Sequence, residues 1–436
     1  MFGSVATAPK SLDLYRPLVG NAVIEELRRL GRDLAGARVL HLNATAYGGG
    51  VAELLATLVP LMNDVGVEAE WRVIQGSPEF FAVTKALHNS LQGMRIPWTP
   101  QMWQLWLHYN QLNASLLKAS LDSYDFVVVH DPQPAGVLWV LSQEPGWRRR
   151  GRYVWRCHLD LTSAEPEAWE AFRAYVEPYD AAIVTMERYL PADLGVPRAF
   201  VIPPAIDPLS LKNVDLPAET IAEVLHRFGV DPSRPMLLQV SRFDPWKDPL
   251  GVVDVYRDLK TKVPGLQLVM AASMAHDDPE GLAYYERTAR HAGEDYDIHL
   301  LSNLNGVGSL EVNAFQRAAH VVIQKSIREG FGLVVSEALW KGRPVVAGNV
   351  GGIPLQVIDG ATGFLANTHE EFVDRALRLL RDPRLARRLG ANGREHVREH
   401  YLITRYLRDY LLAFRRLAEH DDGTASSNLA GASYAG

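Results

Sequence analysis

Apolar residues along this chain fall into short runs of four to six, rich in Val, Ile and Leu, separated by longer stretches with helical periodicity. In the first half the runs predict strands at 38–43, 70–74, 126–130, 153–158, 182–185 and 199–202, with helices at 50–65 and 102–121 the clearest between them. From Pro235 the alternation restarts, with strands at 236–241, 266–271, 297–301, 321–324 and 344–347 and a helix at 249–263. The runs are continuously apolar, so these strands are buried on both faces and belong to parallel sheets sandwiched between helices. Two restarts imply an α/β protein of two doubly wound, Rossmann-like domains. The crossing is expected at 201–210, where Pro203, Pro204 and Pro208 discourage both helix and ladder. The domains are therefore drawn at 1–205 and 206–401, with a helix near 402–420 completing the first. The tail 421–436 is Gly, Ala, Ser and Asn with little to bury, so disorder is expected there.

Composition narrows the class without naming a function. The 436 residues carry 45 Lys plus Arg against 51 Asp plus Glu, a net charge of −6, with 47% hydrophobic and 22% charged residues. At about 150 residues per domain the length accommodates two or three cores. Mild negative charge argues against nucleic acid or an anionic membrane as partner, and no apolar run reaches the roughly 18 residues that span a bilayer. The N-terminal segment lacks the pattern of a secretory signal. The single cysteine, Cys157, excludes an intramolecular disulfide framework. A cytoplasmic location is the expectation.

Four segments carry candidate chemistry. Gly48-Gly49-Gly50 follows the first strand and opens a helix, where backbone N–H groups can approach a phosphate. A dinucleotide fingerprint would need glycine where Glu53 stands, and the plain alternative is a tight strand-to-helix turn. Arg242 and Lys247 lie just beyond the first strand of the second domain, where open α/β sheets bind ligands. Together they suit a diphosphate, the Arg as a fork and the Lys as a point charge. The alternative is a pair of surface charges, with Arg242 held by Asp244. Glu329, Gly330, Phe331, Gly332, Leu333 and Glu337 form a loop and helix start after strand 321–324. Carboxylates there can accept from sugar hydroxyls and helix-start amides can donate to phosphate, or the element is simply a capped helix with solvent carboxylates. His158 and Asp160 share one face of their strand while Cys157 points the other way, which speaks against a Cys–His nucleophile.

Three further patterns carry less weight. His396-Val-Arg-Glu-His400 has the spacing of an inverted zinc motif but lacks a third ligand in a basic helix. Asp295-Tyr296-Asp297 resembles a metal-chelating pair but precedes a strand in the second domain. Trp98, Trp103 and Trp106 read as packing, although a sugar can stack on such rings.

Taken together, the Ser-Arg…Lys loop, the Glu329…Glu337 element and a glycine loop in the other domain resemble the retaining glycosyltransferases of family 4, over nearly the whole chain. The resemblance implies a GT-B fold, two facing Rossmann-like domains with a deep interdomain cleft. The segment from Trp71 to Gly93, with His130-Asp131-Pro132-Gln133-Pro134 and the hinge Ile202 to Pro208, is similar to trehalose glycosyltransferring synthases and trehalose phosphorylases. That likeness implies transfer of glucose from UDP-, ADP- or GDP-glucose to glucose, giving α,α-trehalose. It places Arg242 and Lys247 on the donor diphosphate, Glu337 on the ribose, and Glu329 with the amides of Gly330 to Leu333 on the donor glucose. Gly49 and Gly50 would close on the diphosphate, and His158 would contact the donor sugar. Glu53, Gln75, Asp131 and Gln133 are acceptor candidates. No cofactor or metal is implied, the partners are the small-molecule substrates, and relatives imply a homodimer. Gly351-Gly-Ile-Pro-Leu355 departs from the family, many members of which carry an acidic residue after the proline. Phosphorolysis, another sugar acceptor and a non-catalytic sugar-nucleotide sensor are the competing readings.

Overall fold

The computed structural model describes residues 3–272 and 279–419. The expected disordered tail, 421–436, lies outside the described residues. The chain divides into two compact units, the first holding residues up to Pro204 and again from Ile403, the second Ala205–Leu402. Among the described residues no helix is long and apolar enough to cross a membrane.

The first unit is built on a six-stranded sheet of β1 (Arg38–Asn43), β2 (Glu68–Val73), β3 (Phe126–His130), β4 (Arg152–Arg156), β5 (Ala181–Val184) and β6 (Ala199–Val201). Their order is β2-β1-β3-β4-β5-β6, and every pairing is parallel. The second unit repeats the plan with β7 (Met236–Val240), β8 (Gln267–Ala272), β9 (Ile298–Ser302), β10 (Val321–Gln324), β11 (Val345–Gly348) and β12 (Phe364–Ala366). Its order is β12-β11-β10-β7-β8-β9, again all parallel. Every residue of β3, β7, β8, β10 and β11 is buried, as continuous apolar runs require.

Strand ends differ from the sequence expectation by one or two residues. The strand expected over 153–158 stops at Arg156, so His158 lies just past its carboxyl end. The three-residue edge strand β12 was not anticipated, because Phe-Leu-Ala is too short for a periodic signal. In the proline-rich crossing, Ile206 still pairs with the returning chain, its N–H donating to the Tyr401 carbonyl at 2.8 Å.

Both strand orders contain one reversal, and those reversals locate ligand sites in sheets of this kind. In the first unit the reversal lies between β1 and β3, so the loops leaving them, with Gly48–Gly50 and Asp131–Pro134, flank one crevice. In the second it lies between β7 and β10, whose following loops carry Arg242–Lys247 and Glu329–Gly332. The topology thus selects three of the four candidate segments, and His158 leaves β4, the neighbour of β3.

Candidate active site

Within the first unit, Gly48 and Gly49 adopt φ of 72° and 102° before the helix Gly50–Asp64. Among the described residues an added Cβ would meet nothing within 4 Å at either position, so conformation, not space, favours glycine here. Both residues are exposed and their N–H groups donate to no atom among the described residues; Glu53, also exposed, sits one turn into the helix.

His41, His130 and His158 lie on one face of the sheet, because β1, β3 and β4 are adjacent and in register. His41 Nδ1 is 3.0 Å from His130 Nε2, and His130 Nδ1 is 3.1 Å from His158 Nε2. The C-terminal helix Ile403–Ala418 covers this face, with the Tyr410 ring edge-on to His41. Burial draws the His41 pKa down to about 3, and burial with neighbouring positive charge holds His130 and His158 well below the usual imidazole value. Arg156, fully buried beside them, donates to the Ile202 carbonyl at 2.8 Å, while its Nε and second amino group are sealed without partners among the described residues. Cys157 points into the opposite core, where burial raises its thiol pKa far above the usual range. It is no nucleophile.

Asp131 takes a left-handed backbone, φ 63°, at the end of β3. Its Oδ1 accepts the His158 N–H at 2.8 Å, so one acceptor candidate fixes the backbone of the histidine. Burial raises the Asp131 pKa to about 6, against the pull of that hydrogen bond and of Arg156. Gln75 and Gln133 are placed by two asparagines that sequence reasoning missed. Asn113 accepts from the Gln75 N–H at 2.8 Å and donates to its carbonyl at 2.9 Å; Asn110 donates to the Gln133 carbonyl at 3.1 Å. Both lie buried in the helix Pro100–Leu121, and their signal was two amides three apart on its apolar face. Trp98 and Trp103 stack on each other at 4.7 Å and Trp106 is fully buried, so these rings are packing.

In the second unit the Arg242 loop closes into a short 3₁₀ turn, Pro245–Lys247, followed by Asp248 at φ 44°. Lys247 Nζ meets Glu329 Oε2 at 2.5 Å, and Ser326 Oγ donates to the same oxygen at 3.2 Å. Arg242 lies 3.0 Å from Asp244, as the plain alternative proposed, yet its side chain remains 47% exposed. Gln239, at the end of β7, ties the two loops together through the Lys247 carbonyl and the Lys325 N–H. Gly332, at φ 86°, caps the helix Leu333–Trp340. The N–H groups of Phe331, Gly332 and Leu333 donate to no atom among the described residues, leaving three successive donors at a helix start. Gly352 lets Gly330 approach: a side chain there would lie 2.6 Å from the Gly330 carbonyl.

Glu337 departs from the solvent carboxylate of the plain reading. It is 2% exposed, with Lys212 Nζ 3.6 Å from one oxygen and Gln316 donating to the other at 3.3 Å. Beneath it the buried Lys341 Nζ reaches Asn213 and Gln316 at 2.8 and 2.7 Å. Desolvation lowers the Lys341 pKa to about 7, against the pull of Glu337. In the unfolded chain lysine titrates near its ordinary value of about 10.4. Between the two the unfolded chain therefore holds the extra proton, and stability rises with pH across that window. Thermal melts should show this rise from about pH 7 to about pH 10 in the native protein, and Lys341→Met should abolish it.

The set-aside patterns also have partners. Asp295 and Asp297 pair with Lys260 at 2.7 and 3.0 Å, and His396 donates to the Leu355 carbonyl at 2.9 Å.

A family model described as trehalose synthase, N-terminal domain, matches residues 41–191, and one described as glycosyl transferases group 1 matches residues 222–396. The chain is 50% identical to a trehalose synthase from Rubrobacter xylanophilus, over 96% of this chain and 99% of that protein. A trehalose synthase from Pyrococcus horikoshii is 46% identical over 93% and 96%. A trehalose phosphorylase from Pleurotus pulmonarius is 27% identical over 88% of this chain and 58% of that protein. In fold the chain resembles an α,α-trehalose-phosphate synthase (UDP-forming) from Burkholderia vietnamiensis, with TM-score 0.68 and 16% identity over 89% and 99% of the two chains. With half the aligned residues identical over 96% of the chain and the two parallel sheets of the GT-B fold, the chain belongs to the trehalose synthase family of glycosyltransferases.

Proposed function

We propose that the protein transfers glucose, with retention of configuration, from a nucleoside-diphosphate glucose to glucose, yielding α,α-trehalose and the nucleoside diphosphate. The observation that carries this reading is the 50% identity to a trehalose synthase, which runs through both units. The second unit is assigned to the donor. Arg242 and Lys247 take the diphosphate, Glu337 the ribose, and Glu329 with the open amides of Phe331 to Leu333 the glucose. Asp131, Gln75, Gln133 and Glu53 are assigned to the acceptor.

In this scheme the bond between the anomeric carbon and the phosphate oxygen breaks as the acceptor hydroxyl attacks from the same face. The hydroxyl proton passes to the departing oxygen, so no side chain acts as nucleophile. Negative charge grows on the diphosphate, where two preorganised cations and helix-start N–H groups stabilise it. Activity retained in EDTA is expected, and a divalent-cation requirement would overturn that part of the scheme.

Product analysis tests the whole. The protein is mixed with glucose and each of UDP-, ADP- and GDP-glucose, and separately with trehalose and inorganic phosphate. A non-reducing disaccharide with nucleoside diphosphate is the expected product, ranked by base. Glucose 1-phosphate from the phosphate tube alone would replace the reading by phosphorolysis, which the likeness to the longer phosphorylase keeps in view.

A further inference from the structure

His41 and His130 have no place in the scheme above, yet they are buried polar groups on strands whose other buried residues are mainly apolar. A buried imidazole is retained at a cost in desolvation unless its nitrogens are used. Each ring offers two nitrogens, and the line His41 Nδ1, His130 Nε2, His130 Nδ1, His158 Nε2 uses four of the six. The two ends are His41 Nε2, sealed in the core without a partner, and His158 Nδ1 on a half-buried ring, with no partner among the described residues.

The rings are neutral near pH 7, because burial lowers all three pKa values and the adjacent Arg156 opposes a second positive charge on His130 and His158. A neutral imidazole carries one proton, so the line has only two self-consistent polarities. If protons ran inward from His158, the last would be an N–H at His41 Nε2, shut in the core with no acceptor among the described residues. A sealed, unpaired N–H is rarer in folded proteins than a sealed, unpaired acceptor. If protons run outward, His41 Nε2 is a bare lone pair. His41 then donates from Nδ1 to His130, and His130 from Nδ1 to His158. The outward polarity costs less at the buried end and leaves a proton on His158 Nδ1 at the open one.

We infer that His41 and His130 are positioning residues that fix the tautomer of His158, so that its Nδ1 is held as a hydrogen-bond donor toward the substrate. Asp131 completes the placement by holding the His158 N–H, which sets the backbone as the ring chain sets the imidazole. The use of that donor on a sugar hydroxyl rests on the glucosyl-transfer reading, whereas the tautomer itself does not.

Nitrogen-15 spectra of the histidine-labelled protein test it, with His158 assigned by the signals missing from His158→Gln. The expected result is a protonated Nδ1 and a bare Nε2 on His158. The reverse assignment, or rapid averaging of the two, would overturn the inference whether or not the protein makes trehalose. His41→Phe keeps ring volume and removes the donor, whereas in His41→Asn the amide stands close to the place of Nδ1. His41→Phe should average the His158 signals and lower kcat about tenfold with KM for the sugar nucleotide within twofold, and His41→Asn should restore both. A loss of kcat in His41→Phe with the His158 spectrum unchanged would make His41 a packing residue and overturn the chain. Should His41→Phe fail to fold, the spectrum of the unaltered protein still decides.

Discussion

Arg242→Ala should lower kcat/KM for the sugar nucleotide by about 10² to 10³ while moving Tm by no more than about 3 °C. The two numbers separate because of where Arg242 sits. Its guanidinium is half exposed and makes no aligned hydrogen bond with Asp244, 3.0 Å away, so what the fold loses with it is the counter-charge of one buried carboxylate. Under the proposed reaction the same group meets a diphosphate whose charge grows as the anomeric bond breaks. Interactions that strengthen only in the transition state appear in kcat, not in KM alone. Arg242→Lys should recover part of the loss, since an ammonium keeps the charge but not the two-pronged geometry. An alanine variant with undiminished kcat/KM would remove Arg242 from the donor site and leave it the surface ion pair of the plain reading.

The motif loops were legible in the sequence because each depends on local chemistry at a strand's carboxyl end. Glycine at positive φ, a cation after a strand and a carboxylate near a helix start are all visible within ten residues. What gathers those loops is not local. The reversals between β1 and β3 and between β7 and β10 come from strand order, which no window of sequence contains. The histidine line shows the same limit. His41, His130 and His158 are separated by 89 and 28 residues, and only the register of three adjacent parallel strands puts them on one face. The burial of Glu337 was out of reach for a related reason: it depends on Lys212 and Gln316, from a loop and a helix distant in the chain. Asn110 and Asn113 were readable in principle, since a buried face of a helix seldom spends two amides without backbone to hold.

Glu329→Gln should move two observables in opposite directions: nucleoside diphosphate should bind about five- to tenfold more tightly, and glucosyl transfer should slow by about 10². The carboxylate and the Lys247 ammonium pair at 2.5 Å with both side chains little more than a tenth exposed. A phosphate seeking Lys247 must therefore displace, or share the ammonium with, a carboxylate of its own sign, and that competition weakens the bare leaving group. The amide keeps shape and hydrogen-bonding capacity but removes the competing charge. Lys247 is then more available to phosphate, while a hydroxyl of the donor glucose loses its charged acceptor. Such acceptors are about twice as strong as neutral ones. A role for Glu329 in folding alone would lower Tm and leave diphosphate affinity where it was. Weaker diphosphate binding would mean instead that Lys247 needs its carboxylate to be held in place, and that the pair belongs to the scaffold of the loop. Calorimetric titration with UDP, ADP or GDP, beside turnover with the matching donor, separates the three on one preparation of the variant.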